Sequence, residues 1–134
     1  MKTSLIATLI ISILCSCKKD EISGYKNKLS GKWEYVRYEG YPFNSIPLPP
    51  GNGNILVLTK EGSFERRSYD SISFKGLYNL EEKKDCYGED LKMFIITNDS
   101  LFYQESIIET TLDTLFIRSP NCLADGGVSI YRRM

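Results

Sequence analysis

A chain of 134 residues is long enough for one domain with a modest hydrophobic core. Its 17 basic and 17 acidic side chains balance, which gives no electrostatic case for nucleic acid or for a polybasic membrane-binding face. The sequence has no histidine, which excludes Ser-His-Asp and Cys-His catalysis and histidine-bearing zinc sites. We therefore expect no enzyme, no cofactor and no metal site, although a carboxylate pair for glycoside chemistry stays open because its separation is not readable from sequence.

The N-terminus predicts export from the cytoplasm. Lys2 precedes an uncharged apolar run from Leu5 to Leu14. As a helix this run would be about 15 Å long, roughly half of a ~30 Å hydrocarbon core. It is therefore too short to span a membrane and is typical of the apolar region of a secretory signal.

The residues that follow, Leu14-Cys15-Ser16-Cys17, resemble the lipobox of bacterial lipoproteins. In that family the peptide is cut before the last cysteine, and that cysteine is acylated. The resemblance implies a signal peptide over residues 1–16, lipidation of Cys17 and a lipidated tether over residues 17–28. The other interpretation is an ordinary signal peptide with an incidental cysteine.

The first residues after Cys17 indicate to which membrane a lipoprotein with this sequence is delivered. Lys18 rather than aspartate follows it, unlike lipoproteins retained at the inner membrane. Lys19-Asp20-Glu21 is similar to the export signal of surface lipoproteins in some Gram-negative lineages, or it is simply a solvated linker. We expect a lipid-anchored outer-membrane protein, with the periplasmic side and the cell surface both open.

From residue 29 onward the chain predicts β-strands. The region is rich in tyrosine, phenylalanine, isoleucine, valine and threonine, and no stretch keeps an apolar helical face for three turns. The predicted strands are Trp33 to Glu39, Ile55 to Lys60, Ser63 to Tyr69, Ile72 to Leu80, Leu91 to Thr97, one from Leu101 onward, Leu115 to Arg118, and Val128 to Arg133. About eight closely spaced strands indicate an all-β antiparallel meander, closed as a barrel or stacked as a sandwich, and we favour the small up-and-down barrel because closure removes sheet edges.

Cysteine usage predicts one cross-link. If Cys15 is cleaved and Cys17 acylated, only Cys86 and Cys122 remain, and an oxidising compartment favours a disulfide between them. The alternative is a reactive or metal-binding pair, which would need carboxylates to complete it. Acidic residues and lysines surround Cys86 between residues 81 and 90, and we interpret them as a solvated loop rather than a calcium site.

Several short motifs resemble those of lipocalins and bacterial lipocalin-like lipoproteins. They are Leu29-Ser30-Gly31-Lys32-Trp33, which is similar to the Gly-x-Trp signature of the first strand, Gly76-Leu77-Tyr78, and the terminal Tyr131-x-Arg133. The resemblance implies a lipocalin-like domain over residues 29–134. It also implies that Trp33 closes the barrel floor, with Arg132 or Arg133 packed on its ring through a cation–π contact.

The resemblance further implies a ligand site. In lipocalins the loop after the first strand covers the barrel mouth. The fifteen residues from Gly40 to Asn54 hold four prolines and three glycines, and here we expect Tyr41 and Phe43 to be lid aromatics, unless the segment packs on the outer wall. The inward-facing side chains expected to line the interior are Phe74, Tyr78, Met93 and Ile95.

Two functions are therefore predicted. The first is a membrane-anchored carrier or sensor that holds a small hydrophobic ligand in the barrel. The second is a non-enzymatic protein-interaction or inhibitor module displayed on the cell envelope. A cavity beneath residues 40–54 would favour the first, and a filled interior with an exposed aromatic patch would favour the second.

Overall fold

The computed structural model describes residues 20–99, 103–120, 122, 123 and 125–134. Cys17, the predicted signal peptide and Leu101, where the sixth predicted strand begins, lie outside this part of the chain. Eight antiparallel strands form a closed barrel in sequential order, which confirms the predicted all-β up-and-down barrel. The strands are β1 (Gly31–Gly40), β2 (Asn54–Leu58), β3 (Ser63–Ser68), β4 (Ser71–Lys84), β5 (Leu91–Asp99), β6 (Tyr103–Thr110), β7 (Thr114–Arg118) and β8 (Gly127–Arg133).

Side-chain alternation places one face of each strand inside the barrel. In the β2–β3 pair, Leu58 lies opposite Phe64 and both are buried. Closure comes from β1 and β8, where Trp33 lies opposite Arg133. The buried core consists of Leu29, Trp33, Leu56, Leu58, Phe64, Tyr78, Leu80, Ile95, Ile108, Leu115 and Tyr131.

Strand β4 is longer than predicted. The charged run from Glu81 to Lys84, which we assigned to a solvated loop, pairs residue by residue with β5, ending with Lys84 opposite Leu91. Lys83 also lies over the Phe94 ring, with its Nζ atom 4.7 Å from the ring centroid. Cross-strand pairing and a partly apolar contact therefore order this charged stretch.

Residues 20–29 form a helix, whereas we predicted a tether over residues 17–28. Ile22, Tyr25 and Leu29 have the i, i+3, i+7 spacing of one helical face, and all three pack against the barrel core. The Tyr25 hydroxyl donates a hydrogen bond to the Ile108 carbonyl, with an O···O distance of 2.9 Å. The described part of the predicted tether is thus a structural element of the domain.

The connection between β1 and β2 follows the free edge of β1. That strand pairs with β2 only as far as Glu34, and the backbone N–H groups of Ser45 and Leu48 donate to the carbonyls of Tyr38 and Val36. Asn52 donates its backbone N–H to the buried Glu34 carboxylate, with an N···O distance of 2.8 Å. These bonds hold residues 41–53 along the strand edge.

Cys86 and Cys122 are at disulfide distance, with Cα atoms 5.4 Å apart, as predicted. The pair links the β4–β5 connection to the β7–β8 connection. Across the described ranges, none of the helical residues forms a segment long and apolar enough to cross a bilayer.

Candidate ligand-binding site

One end of the barrel is closed by the helix and by the β2–β3 and β6–β7 turns. The Trp33 indole donates to the Leu29 carbonyl over 2.7 Å, and the Arg133 guanidinium lies over the Trp33 ring at 4.1 Å from its centroid. Arg133 also donates to the carbonyls of Lys28, Ser30 and Leu112. This guanidinium therefore joins the helix end, the β6–β7 turn and the first strand into one floor.

Of the two arginines that the sequence offered as partners of Trp33, the structure places Arg133 on the ring. Arg132 points to the other face of β8 because side chains alternate along a strand. There it pairs with the Glu34 carboxylate at 2.9 Å and donates to the Leu48 carbonyl. Arg132 thus helps to hold the β1–β2 connection.

The opposite end of the barrel, between the β1–β2 and β3–β4 connections, contains an open cavity of about 350 Å³. Its accessible surface is mostly apolar, with aromatic and aliphatic side chains from four strands (β1, β2, β4 and β8) and polar side chains from β2, β3 and β4. The lining residues are Tyr35, Asn54, Ile55, Leu56, Arg66, Arg67, Ser68, Ser73, Phe74 and Tyr131. We call this space the mouth cavity.

The mouth cavity occupies one end of the barrel interior, and the packed floor occupies the other end. Between them lies a much smaller void of about 20 Å³, whose polar lining includes Arg66, Thr97, Gln104 and Ser106. The rest of its lining is apolar, and a void of this size holds at most about one water molecule. Of these two interior spaces, only the mouth cavity is large enough for a bigger guest.

Two arginines line the mouth cavity, and they differ in whether an acidic side chain neutralises them. The Arg67 guanidinium is neutralised by the Glu65 carboxylate at 2.6 Å. Arg66 lies between Leu56 and Phe74 on neighbouring strands and forms no ion pair or hydrogen bond within the described ranges. Since none of the described lining residues is acidic, the cavity has an uncompensated positive charge.

Tyr131 and Tyr35 form the aromatic wall of the mouth cavity, packed edge to face with ring centroids 5.5 Å apart. Burial raises the pKa of the Tyr131 hydroxyl, and the positive charge of Arg66 opposes part of this rise. The Tyr131 phenol is therefore protonated at neutral pH, and it shares the cavity with Arg66.

The six residues predicted to bind ligand do not lie in one site, and the four predicted to line the interior occupy three different places. Phe74 lines the mouth cavity and Ile95 lines the small inner void. Tyr78 is buried in the core, where its hydroxyl donates to the Thr59 carbonyl, and Met93 packs against the same core.

The lid prediction for Tyr41 and Phe43 needs correction. Both side chains are exposed, at 78% and 77%, and neither lines the mouth cavity. Their segment is held at the edge of β1 by backbone hydrogen bonds instead of folding across the opening. Ile46 in the same segment is also exposed, at 85%, and we call these three exposed apolar side chains the loop strip.

A second surface depression of about 430 Å³ lies outside the barrel, beside the β7–β8 connection. Its accessible surface is mostly polar, and the lining includes Glu39 and Arg118, which are charged. An apolar molecule would gain less from this groove than from the mouth cavity.

Comparisons of the chain with protein-family models, with curated proteins and with solved structures found no match. The fold and the mouth cavity are therefore the observations from which function has to be inferred.

Proposed function

We propose that this protein is a lipocalin-like lipoprotein of the outer membrane that binds a small hydrophobic ligand in the mouth cavity. The observation that carries the proposal is a largely apolar cavity of about 350 Å³ that opens at one end of a closed barrel. Small-molecule pockets typically occupy about 300–1,000 Å³, so the volume suits one compact ligand. The histidine-free sequence supports binding rather than catalysis.

A direct test is native mass spectrometry of residues 18–134 purified from a bacterial periplasm. This polypeptide retains the helix, all eight strands and the core described above. We expect a retained mass that is lost on denaturation and that corresponds to an apolar compound. A bare chain, together with no binding of added apolar probes, would contradict the proposal.

Two matched variants test the location. Ser73→Trp puts an indole at the rim of the mouth cavity and should abolish the retained mass. Ser71→Trp adds the same side chain at an exposed position of β4 that does not line the cavity, and it should keep the ligand.

The membrane anchor is a separate part of the proposal, supported by the lipobox-like sequence that ends at Cys17. Cells fed an alkyne-labelled fatty acid should label the wild-type protein and the Cys15→Ala variant, but not Cys17→Ala. Membrane fractionation should place the labelled protein in the outer membrane. Protease digestion of intact cells then distinguishes a surface location from a periplasmic one.

The loop strip supports the alternative, a protein-interaction or inhibitor module. Tyr41, Phe43 and Ile46 present apolar surface to solvent from a segment held in place by hydrogen bonds. A photo-crosslinking residue at Phe43 should capture a discrete envelope protein if this function is correct. The same residue at Leu112, exposed in the turn at the floor, is the control and should not capture it.

A further inference from the structure

Arg66 gives the mouth cavity a chemical preference. Resting on the proposed function, we propose that the ligand is an anionic amphiphile whose carboxylate or phosphate head pairs with the Arg66 guanidinium while its apolar tail lies in the mouth cavity. A carboxylate and a phosphate share the acceptor geometry that a guanidinium recognises through paired N–H groups.

The other arginines show how unusual Arg66 is in this chain. All six arginines lie in the described ranges, and five of them have acceptors. Four pair with glutamates, and Arg133 donates to three backbone carbonyls. Arg66 alone has neither an ion pair nor a hydrogen bond to the described chain, although it lines a cavity walled by Leu56, Phe74 and Tyr131.

The position of Arg66 explains why its guanidinium can lack a partner in the protein. On the inner face of β3 it follows the buried Phe64 by two residues, so its stem runs along the cavity wall. Its side chain remains exposed towards the mouth, and water solvates the charge when the cavity is empty. A bound anion would replace that water with charge-assisted hydrogen bonds, which contribute more than neutral ones.

The surroundings of Arg66 favour an amphiphile over a free inorganic anion. The guanidinium lies beside apolar and aromatic side chains, and most of the accessible cavity surface is apolar. An inorganic phosphate would satisfy the guanidinium but would leave this apolar surface in water. A ligand with a tail also gains from burying it, by about 25 cal/mol per Å² of apolar area.

The test compares three ten-carbon probes by isothermal titration calorimetry on residues 18–134. The probes are decanoate, decyl phosphate and the neutral decan-1-ol, with inorganic phosphate as the free-anion arm. One good charge-assisted pair corresponds to about a tenfold change in affinity. We expect at least one of the two anionic probes to bind about tenfold more tightly than decan-1-ol, and inorganic phosphate to show no binding.

Arginine variants assign the preference to one side chain. Arg66→Gln should weaken the anionic probes about tenfold and leave decan-1-ol within about twofold. Arg37→Gln removes a like charge that does not line the mouth cavity, and the Arg37 guanidinium is paired with the Glu39 carboxylate. It should leave the affinity of every probe within about twofold, and near-ultraviolet circular dichroism should show the native fold for both variants.

The outcomes separate this inference from the proposed function. Equal binding of decan-1-ol and both anionic probes would overturn the anionic head and leave an apolar-ligand carrier standing, and this comparison needs only the wild-type protein. An equal loss of decanoate affinity in Arg37→Gln would overturn the assignment to Arg66. If no ten-carbon probe binds, the proposed function and this inference both fail.

Discussion

The guanidinium of Arg133 lies 4.1 Å from the centroid of the Trp33 ring and also donates to three backbone carbonyls at the barrel floor. The two residues face each other across the β1–β8 closure. One side chain near the C-terminus therefore joins the last strand, the first strand, the helix end and the β6–β7 turn.

Replacement of Arg133 should weaken the fold. Arg133→Ala loses the cation–π contact and the charge-assisted hydrogen bonds, and we expect a loss of about 1–3 kcal/mol in the free energy of unfolding. Urea titration followed by fluorescence of Trp33, the only tryptophan, measures the loss. Arg118→Ala is the control because its pairing with Glu109 is exposed and 4.0 Å long, and it should cost less than about 0.5 kcal/mol.

The helix should contribute directly to stability. Leu29 is fully buried beneath the barrel, and Leu29→Ala should lower the free energy of unfolding by about 2–5 kcal/mol because it leaves a cavity in the core. Lys28→Ala changes the neighbouring exposed position and should be nearly neutral. If both variants unfold at the wild-type urea concentration, the helix is not part of the cooperative domain.

The Cys86–Cys122 cross-link should stabilise the barrel by restricting the unfolded chain. It closes a loop with a sequence separation of 36 residues, for which the chain-entropy relation gives roughly 3–4 kcal/mol. Reduction should therefore shift wild-type unfolding to lower urea concentration. The Cys86→Ser/Cys122→Ser double variant should unfold at that lower concentration and show no response to reductant. Two free thiols in the unreduced, denatured protein would contradict the prediction.

Alkaline pH should destabilise the protein through its buried tyrosines. Burial raises the pKa of Tyr25, Tyr78 and Tyr131 above the ordinary value of 10.0. Between the unfolded and folded pKa values the folded state binds more protons, so the stability that these groups contribute is complete below pH 10 and is lost as pH rises further.

Urea titrations between pH 9 and pH 11 measure this dependence. Tyr131→Phe removes one shifted group and should reduce the slope of stability against pH. Phe43→Leu changes an exposed aromatic side chain that carries no hydroxyl and should leave the slope unchanged. A wild-type slope equal to that of Tyr131→Phe would show that this hydroxyl does not contribute.

Alternation of apolar and polar residues predicted the strands because one face of each strand is buried, as in β2 and β3, where Leu58 and Phe64 face inward. The helix was not predicted because its ten residues make fewer than three turns, so the apolar periodicity is short. The spacing of Ile22, Tyr25 and Leu29 was the available signal.

The candidate site was less predictable than the fold. Phe64 and Arg66 are two residues apart and therefore share a face, which was the only signal that Arg66 points inward. The absence of a glutamate partner for Arg66 depends on packing across strands, which cannot be read from the strand pattern of the sequence. Tyr41 and Phe43 were expected to be lid aromatics over the barrel mouth, but hydrogen bonds to the open edge of β1 hold their segment where both rings face solvent.

The helix over residues 20–29, which lies at the barrel floor, also bears on how a lipid-anchored form of this protein would be oriented on a bilayer. The helix begins at residue 20, and Cys17, the proposed site of acylation, precedes it by only three positions in the sequence. An acyl anchor there would hold the floor end towards its own membrane and turn the mouth cavity outward. Ligand exchange would then take place with molecules approaching from the aqueous side. The leaflet that holds the acyl anchor would not supply the ligand.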